Sequence, residues 1–299
     1  MIDLLCSRFA IADDVRTAAL RAHERVRNLR YEAQAHVKVN VMQAFLDEGI
    51  TESDFAGTTG YGYDDAARAS YERLLARVFG TQGALARLSI VSGTHAIVTA
   101  LAACVAPGKT LLSITGPPYD TLRNAIAGHR YALQSTGVGY REVALADGDF
   151  DVETIARELE RDDIAALFVQ RSRGYAPRPS LSVVACEHAF AFVKARRPHV
   201  PILVDNCYGE LVEAREPTHA GADLVMGSLI KNLGGSIAPA GGYIAGRADL
   251  LERVAARLYA PGLGDALGPT LGFGRDFIQG LFLAPPIVEQ ALKGLDFAA

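Results

Sequence analysis

A lysine follows the apolar run 224–228, in Ser228-Leu229-Ile230-Lys231-Asn232-Leu233-Gly234-Gly235. An ammonium is costly to bring to the end of a core segment unless it is paired or used in chemistry. A second run ends in Leu203-Val204-Asp205-Asn206 and carries a carboxylate out of the core, where it needs a cation or hydrogen-bond donors to stay ionised. A third segment, Ser92-Gly93-Thr94-His95, opens a helical pattern running from Ala96 to Ala103. Its first turn leaves backbone N–H groups unpaired and uncrowded, and with the helix dipole that suits an anion such as phosphate. An ordinary Ser/Thr N-cap would read the same way, and Asp205 with Lys231 could be a structural ion pair. The glycines Gly234, Gly235, Gly241 and Gly242 favour a reactive lysine, because they keep bulky side chains away from the amine.

Elements must bring these residues together. After a glycine-rich loop, Phe55 to Asp65, and a helix over 66–79, short apolar runs alternate with helix-length segments: 86–91, 110–115, 165–170, 202–205, 224–228 and 242–245. Nearly all-apolar strands separated by helices predict an α/β fold, a mostly parallel sheet with helices on both faces. Ligand sites in such sheets lie beyond the carboxyl ends of the strands, where Ser92, Asp205 and Lys231 all fall. Residues 1–55 predict an N-terminal helical arm, with Val15, Leu20, Val26, Leu29, Val39, Met42, Phe45 and Leu46 as its apolar faces. Residues 56–265 form the large domain, and 266–299 a helical lead-in whose last helix covers 286–299.

Composition narrows the function. With 299 residues, 49% of them hydrophobic, the chain can bury a full core. Its net charge of -4, with both signs interspersed, offers no basic face for nucleic acid and no polybasic membrane anchor. The N-terminus lacks a secretory signal, and the apolar stretches are too short to span a membrane. The four cysteines, Cys6, Cys104, Cys186 and Cys207, have no metal-binding or disulfide spacing, so no metal is expected and a reducing cytoplasm fits.

In order along the chain, Ser92-Gly93-Thr94-His95-Ala96, Val204-Asp205-Asn206, Ser228-Leu229-Ile230-Lys231 and Gly241-Gly242-Tyr243-Ile244-Ala245-Gly246 resemble the fold-type I enzymes that use pyridoxal 5'-phosphate, in the cystathionine and methionine lyase branch. Thr58-Thr59-Gly60-Tyr61-Gly62-Tyr63-Asp64-Asp65, Gln170-Arg171-Ser172-Arg173-Gly174-Tyr175 and Asp205-Asn206-Cys207-Tyr208-Gly209-Glu210 are similar to the methionine gamma-lyase-like group known as aluminium resistance proteins. The likeness runs from about Val39 to Ala299, and as a joint pattern it is specific.

This resemblance implies a role for each residue. Lys231 would link to the cofactor aldehyde, which calls for a lowered amine pKa. Asp205 would pair with the pyridine nitrogen. Ser92, Gly93, Thr94 and Ser228 would hold the phosphate, and Tyr119 would stack on the ring. Tyr61 or Tyr63 would reach the phosphate of a neighbouring subunit in a homodimer or homotetramer. Arg171 and Arg173 have the geometry to clamp a substrate carboxylate, or to form salt bridges with Asp64, Asp65 or Glu210. His95 and Cys207 read as packing residues.

The implied reaction is carbon–sulfur bond cleavage in a sulfur-containing amino acid, by beta or gamma elimination, giving a 2-oxo acid, ammonia and a thiol. No asparagine-proline motif follows Gln170, so the contact to the cofactor's phenolic oxygen is unassigned. Fold-type I chains continue into a small C-terminal domain, whereas this sequence stops at Ala299. The alternatives are therefore a cofactor-binding chain without catalytic activity, or aminotransferase or aldolase chemistry on the same scaffold. The apolar side of the last helix, with Ile287, Val288, Ala291, Leu292 and Leu295, is expected to need a partner.

Overall fold

The computed structural model describes residues 1–29 and 31–299. Strands β1 (Gly83–Arg87), β2 (Thr110–Ser113), β3 (Gly139–Glu142), β6 (Ile164–Gln170), β7 (Ile202–Asp205), β8 (Leu224–Ser228) and β9 (Gly242–Gly246) form one sheet, in the order β1-β9-β8-β7-β6-β2-β3. Only β9 runs against its neighbours; the other pairings in the sheet are parallel. A small antiparallel pair, β4 (Leu145–Ala146) and β5 (Asp149–Phe150), stands apart.

The expected α/β architecture is what the chain adopts. In β7 and β8 every residue is buried, as two covered faces require. Alternate residues along β7 divide between two apolar clusters: Ile202 and Val204 on one face, Leu203 on the other. Helix α5 (Gly93–Cys104), the short α6 (Asp120–Arg123) and α9 (Ala248–Leu258) cover the Leu203 face. Helices α4 (Ala66–Phe79), α7 (Val152–Leu159) and α8 (Val183–Arg196) cover the other.

The arm consists of α1 (Ile2–Arg8), α2 (Asp13–Val26) and α3 (Glu32–Asp47), and the chain closes with α10 (Gly274–Ala298). Of the arm's expected apolar residues, Phe45 packs against the core and stacks edge-on with Phe282, but most do not. No residue of α2 is buried, and Val15, Leu20, Leu29, Val39, Met42 and Leu46 are exposed. Helix α3 instead buries Val37, Val41 and Ala44 against the core that also holds Phe277, Ile278, Leu281 and Val288 of α10.

Two further expectations change. Proline is favoured in a first helical turn, so Pro286 reads as the start of the helix expected over 286–299. Yet α10 begins at Gly274 and runs through Pro285 and Pro286, its buried Phe277-to-Val288 side carried by packing. The apolar side of its end is partly covered within the chain: Val288 is buried and Leu292 packs against the core, while Leu295 stays exposed.

Candidate active site

The carboxyl ends of the parallel strands converge on a cavity of about 500 Å³. Its walls include Ser92, Gly93, Thr94, Tyr119, Asp205, Ser228 and Lys231, so seven of the expected site residues meet there. Each arrives by a local structural device. Ser92 caps α5, its Oγ accepting from His95 N at 3.1 Å. That leaves the N–H groups of Gly93 and Thr94 with no acceptor among the described residues, pointing a helix N-terminus at the cavity. A Cβ on Gly93 would lie 3.1 Å from Cys207 Sγ and 3.3 Å from Ser228 Cβ, so glycine lets the helix start approach β8. Tyr119 shares a 2.8 Å hydrogen bond with Thr94 Oγ1, and its backbone N–H donates to Gln170 Oε1 at 2.8 Å.

Asp205 ends β7 almost wholly buried and accepts from Cys207 N at 3.0 Å. Burial raises its pKa to about 6, against the opposing help of Cys207 and Lys231. A carboxylate held this way is incompletely satisfied and favours a cationic donor placed in the cavity. Burial also pushes up the Cys207 thiol and the Tyr119 phenol, so both stay neutral.

The Lys231 amine departs from expectation in two ways. Its pKa is raised, not lowered: burial pulls it down, but Cys207, Tyr208 and Asp205 together outweigh that pull. The sequence reading lacked Tyr208, whose ring centroid lies 3.9 Å from Nζ. The glycines, too, serve another purpose. Cβ atoms on Gly234, Gly235, Gly241 and Gly242 would strike Leu229 O, Gly280 O, Arg87 O and Ile90 Cγ2 respectively, so these residues allow close packing of backbone and core and do not border the cavity.

Arg171 is not at the cavity. Its guanidinium is buried, with Nε donating to Leu181 O, Nη1 to Asn206 Oδ1 and Gly209 O, and Nη2 to Glu213. Its acidic partner is thus Glu213 and none of Asp64, Asp65 or Glu210. The residue directly follows β6, but its side chain turns to the Asn206-to-Gly209 turn, a direction that sequence spacing does not encode. Arg173 is exposed and outside the cavity wall, although Ser172, Gly174 and Tyr175 beside it form part of that wall.

Tyr61 and Tyr63 are also exposed and away from the cavity of their own chain. Asp65 fixes their loop, accepting from Thr58 N at 2.7 Å, Arg68 N at 2.9 Å and Thr270 N at 2.8 Å. Burial opposes its ionisation, yet these bonds hold its pKa below the ordinary range. Besides Tyr208, the sequence reading missed Thr121, Ser172, Gly174, Tyr175, Ile230 and Cys207, expected only to pack, as lining residues. Tyr175 and Tyr208 lay within motifs already singled out and could have been drawn from them.

Residues 13–299 match the methionine gamma-lyase family. The chain belongs to that family. A Bacillus subtilis relative, the uncharacterized protein YnbB, is 42% identical over 264 residues, covering 87% of this chain and 62% of its own length. The chain thus spans about three fifths of that curated relative.

Among solved structures, a carbon-sulfur lyase involved in aluminum resistance from Clostridium novyi NT superposes with a TM-score of 0.92 at 37% identity, covering 99% of this chain and 74% of the other. The pyridoxal-5'-phosphate-dependent protein YhfS of Escherichia coli, at 22% identity and a TM-score of 0.65 over 87% of this chain and 66% of its own, shares the fold. In this chain an amine, a buried carboxylate and a helix N-terminus border one cavity. Among the described residues no helix is long and apolar enough to cross a membrane, and no group of three or more His, Cys, Asp or Glu is placed to hold a metal ion.

Proposed function

We propose that this protein is a pyridoxal 5'-phosphate-dependent carbon–sulfur lyase that acts on a sulfur-containing amino acid by beta or gamma elimination, yielding a 2-oxo acid, ammonia and a thiol. The observation that carries the reading is Asp205, a buried carboxylate that borders the same cavity as Lys231 and the first turn of α5. Its surroundings leave it short of donors, which suits a protonated ring nitrogen. The uncapped N–H groups of Gly93 and Thr94, with Ser228, suit a phosphate, and the Tyr119 ring suits a flat aromatic partner.

When bound, the cofactor supplies an electron sink for a carbanion at the substrate α carbon. The chain supplies the rest. Lys231 carries the aldehyde-reactive amine and then acts as the base that takes the α proton. Asp205 would hold the cofactor's protonated ring nitrogen, and Tyr119, tied to Thr94, fixes one wall.

Tyr61 or Tyr63, exposed on a loop held by Asp65 and absent from the wall of its own cavity, reaches the phosphate of a neighbouring subunit, making the working form a homodimer or homotetramer. Arg173 is the cation near the cavity lip left to meet a substrate carboxylate. Incubation with cofactor and cystathionine, cysteine or methionine tests the reading. It expects 2-oxo acid and thiol in equal amounts; oxo acid formed only with an amino-group acceptor would make the protein an aminotransferase, and no product from all three would end the lyase reading.

A further inference from the structure

Tyr208 is a non-glycine residue with φ of 69°, in a left-handed conformation that ordinary side chains seldom adopt. Core packing does not hold it there, since the residue is 62% exposed. Hydrogen bonds do. Asn232 Nδ2 donates to Tyr208 O at 3.3 Å and Glu210 O at 2.8 Å, and Arg171 Nη1 donates to Asn206 Oδ1 and Gly209 O. Gly209 admits the guanidinium, because a Cβ there would lie 2.5 Å from Arg171 Nη1. The turn is therefore over-determined, and what it positions is an aromatic face 3.9 Å from the Lys231 amine, at the cavity wall.

Resting on the lyase reading, we propose that Tyr208 is a further catalytic residue, whose ring face stabilises the Lys231 amine in the cationic form it takes on removing the substrate's α proton. In that transfer the Cα–H bond breaks, its electron pair stays with the substrate, and an N–H bond forms at Nζ. The neutral amine becomes an ammonium whose proton is then available to the leaving thiolate. A π face favours the ammonium over the amine and so lowers the barrier to its formation. Asp205 and Cys207 also face this amine and act in the same direction, and neither is altered by a change at position 208.

The test separates the ring from its hydroxyl and from turnover. The full chain, prepared without cofactor, is labelled by competitive acetylation across neutral to alkaline pH, and the Lys231 peptide is read by mass spectrometry. Tyr208→Leu is expected to make the ammonium about 2- to 30-fold more acidic, the usual range for a cation–π contact, whereas Tyr208→Phe, which keeps the ring and loses only the hydroxyl's added pull on the ammonium, moves the midpoint less. Lys194, paired with Asp223, reports that each variant is folded.

In the loaded enzyme, Tyr208→Leu should enlarge the isotope effect seen with α-deuterated substrate, as proton removal becomes slower. An unmoved midpoint in Tyr208→Leu, or a Phe variant that behaves like Leu, overturns the proposal. So does a moved midpoint with an unchanged isotope effect. A moved midpoint with no elimination by the wild type overturns the lyase reading, and the catalytic role with it.

Discussion

Asp205 ends β7 and Glu210 follows it; both are buried, and burial raises both, to about 6 and to about 8. Their surroundings differ. Asp205 borders a cavity of about 500 Å³ that also holds an amine. Glu210 is enclosed in the core: it accepts from the Tyr243 hydroxyl at 2.9 Å, sits against Gly227, and leaves Oε2 without a partner among the described residues. A perturbed carboxyl is therefore not a functional signal by itself. Adjoining space decides which acid can meet a ligand, and Glu210 with the greater shift has none.

The largest effect that separates the pair should come from Asp205→Asn. Removing the fixed charge at the reacting centre is expected to lower turnover by about 10²- to 10³-fold, the loss typical of a lost electrostatic partner, while thermal melts show a folded protein. Glu210→Gln should leave turnover near wild type, and equal losses from both variants would erase the distinction.

Arg171→Ala comes next. Breaking a buried ion pair costs about 3 kcal/mol, at the lower end of the usual range because Glu213 is 32% exposed. Denaturant unfolding should record that loss, whereas a substrate-clamping arginine would instead show a raised KM with normal stability.

Linkage gives the third prediction. The folded pKa of Glu210 lies above its ordinary 4.5, so the native state binds the extra proton and wild-type stability falls as pH rises from about 4.5 to about 8. Glu210→Gln removes that fall, so the stability gap between variant and wild type should widen over this window and level off above it. Asp205 acts with the same sign over a lower window, from 3.8 to about 6. Melting curves at several pH values check both. The smallest effect is Tyr119→Phe, which loses the bond to Thr94 and is expected to weaken cofactor binding roughly fivefold, a net hydrogen bond's worth.

The same contrast explains what could be read in advance. Strands β7 and β8 were legible to the residue, because burial on both faces leaves an unbroken apolar run. Strand β3, Gly-Tyr-Arg-Glu, escaped notice: it lies at the sheet edge and its last two residues are exposed. Strand β1 was placed too late, since the apolar residues Leu88, Ile90 and Val91 continue past its end at Arg87.

Within the site, Ser92, Gly93, Thr94, Asp205, Ser228 and Lys231 were legible because strand ends and helix starts converge in this fold. The direction of Arg171, the close packing at Gly234 and Gly235, and the ring of Tyr208 under the amine were not. Arg171, Tyr208 and Gly235 depend on contacts between segments distant in sequence, and Gly234 on the fold of its own turn back onto Leu229 O, neither of which residue pattern encodes.

The central claim is a covalent bond between the Lys231 amine and the cofactor aldehyde. Borohydride reduction of the purified protein after incubation with pyridoxal 5'-phosphate, followed by peptide mass spectrometry, tests it directly. The account predicts a stable pyridoxyl adduct on Lys231, abolished in Lys231→Ala; an unmodified Lys231 peptide, or equal labelling of the other lysines, would contradict it.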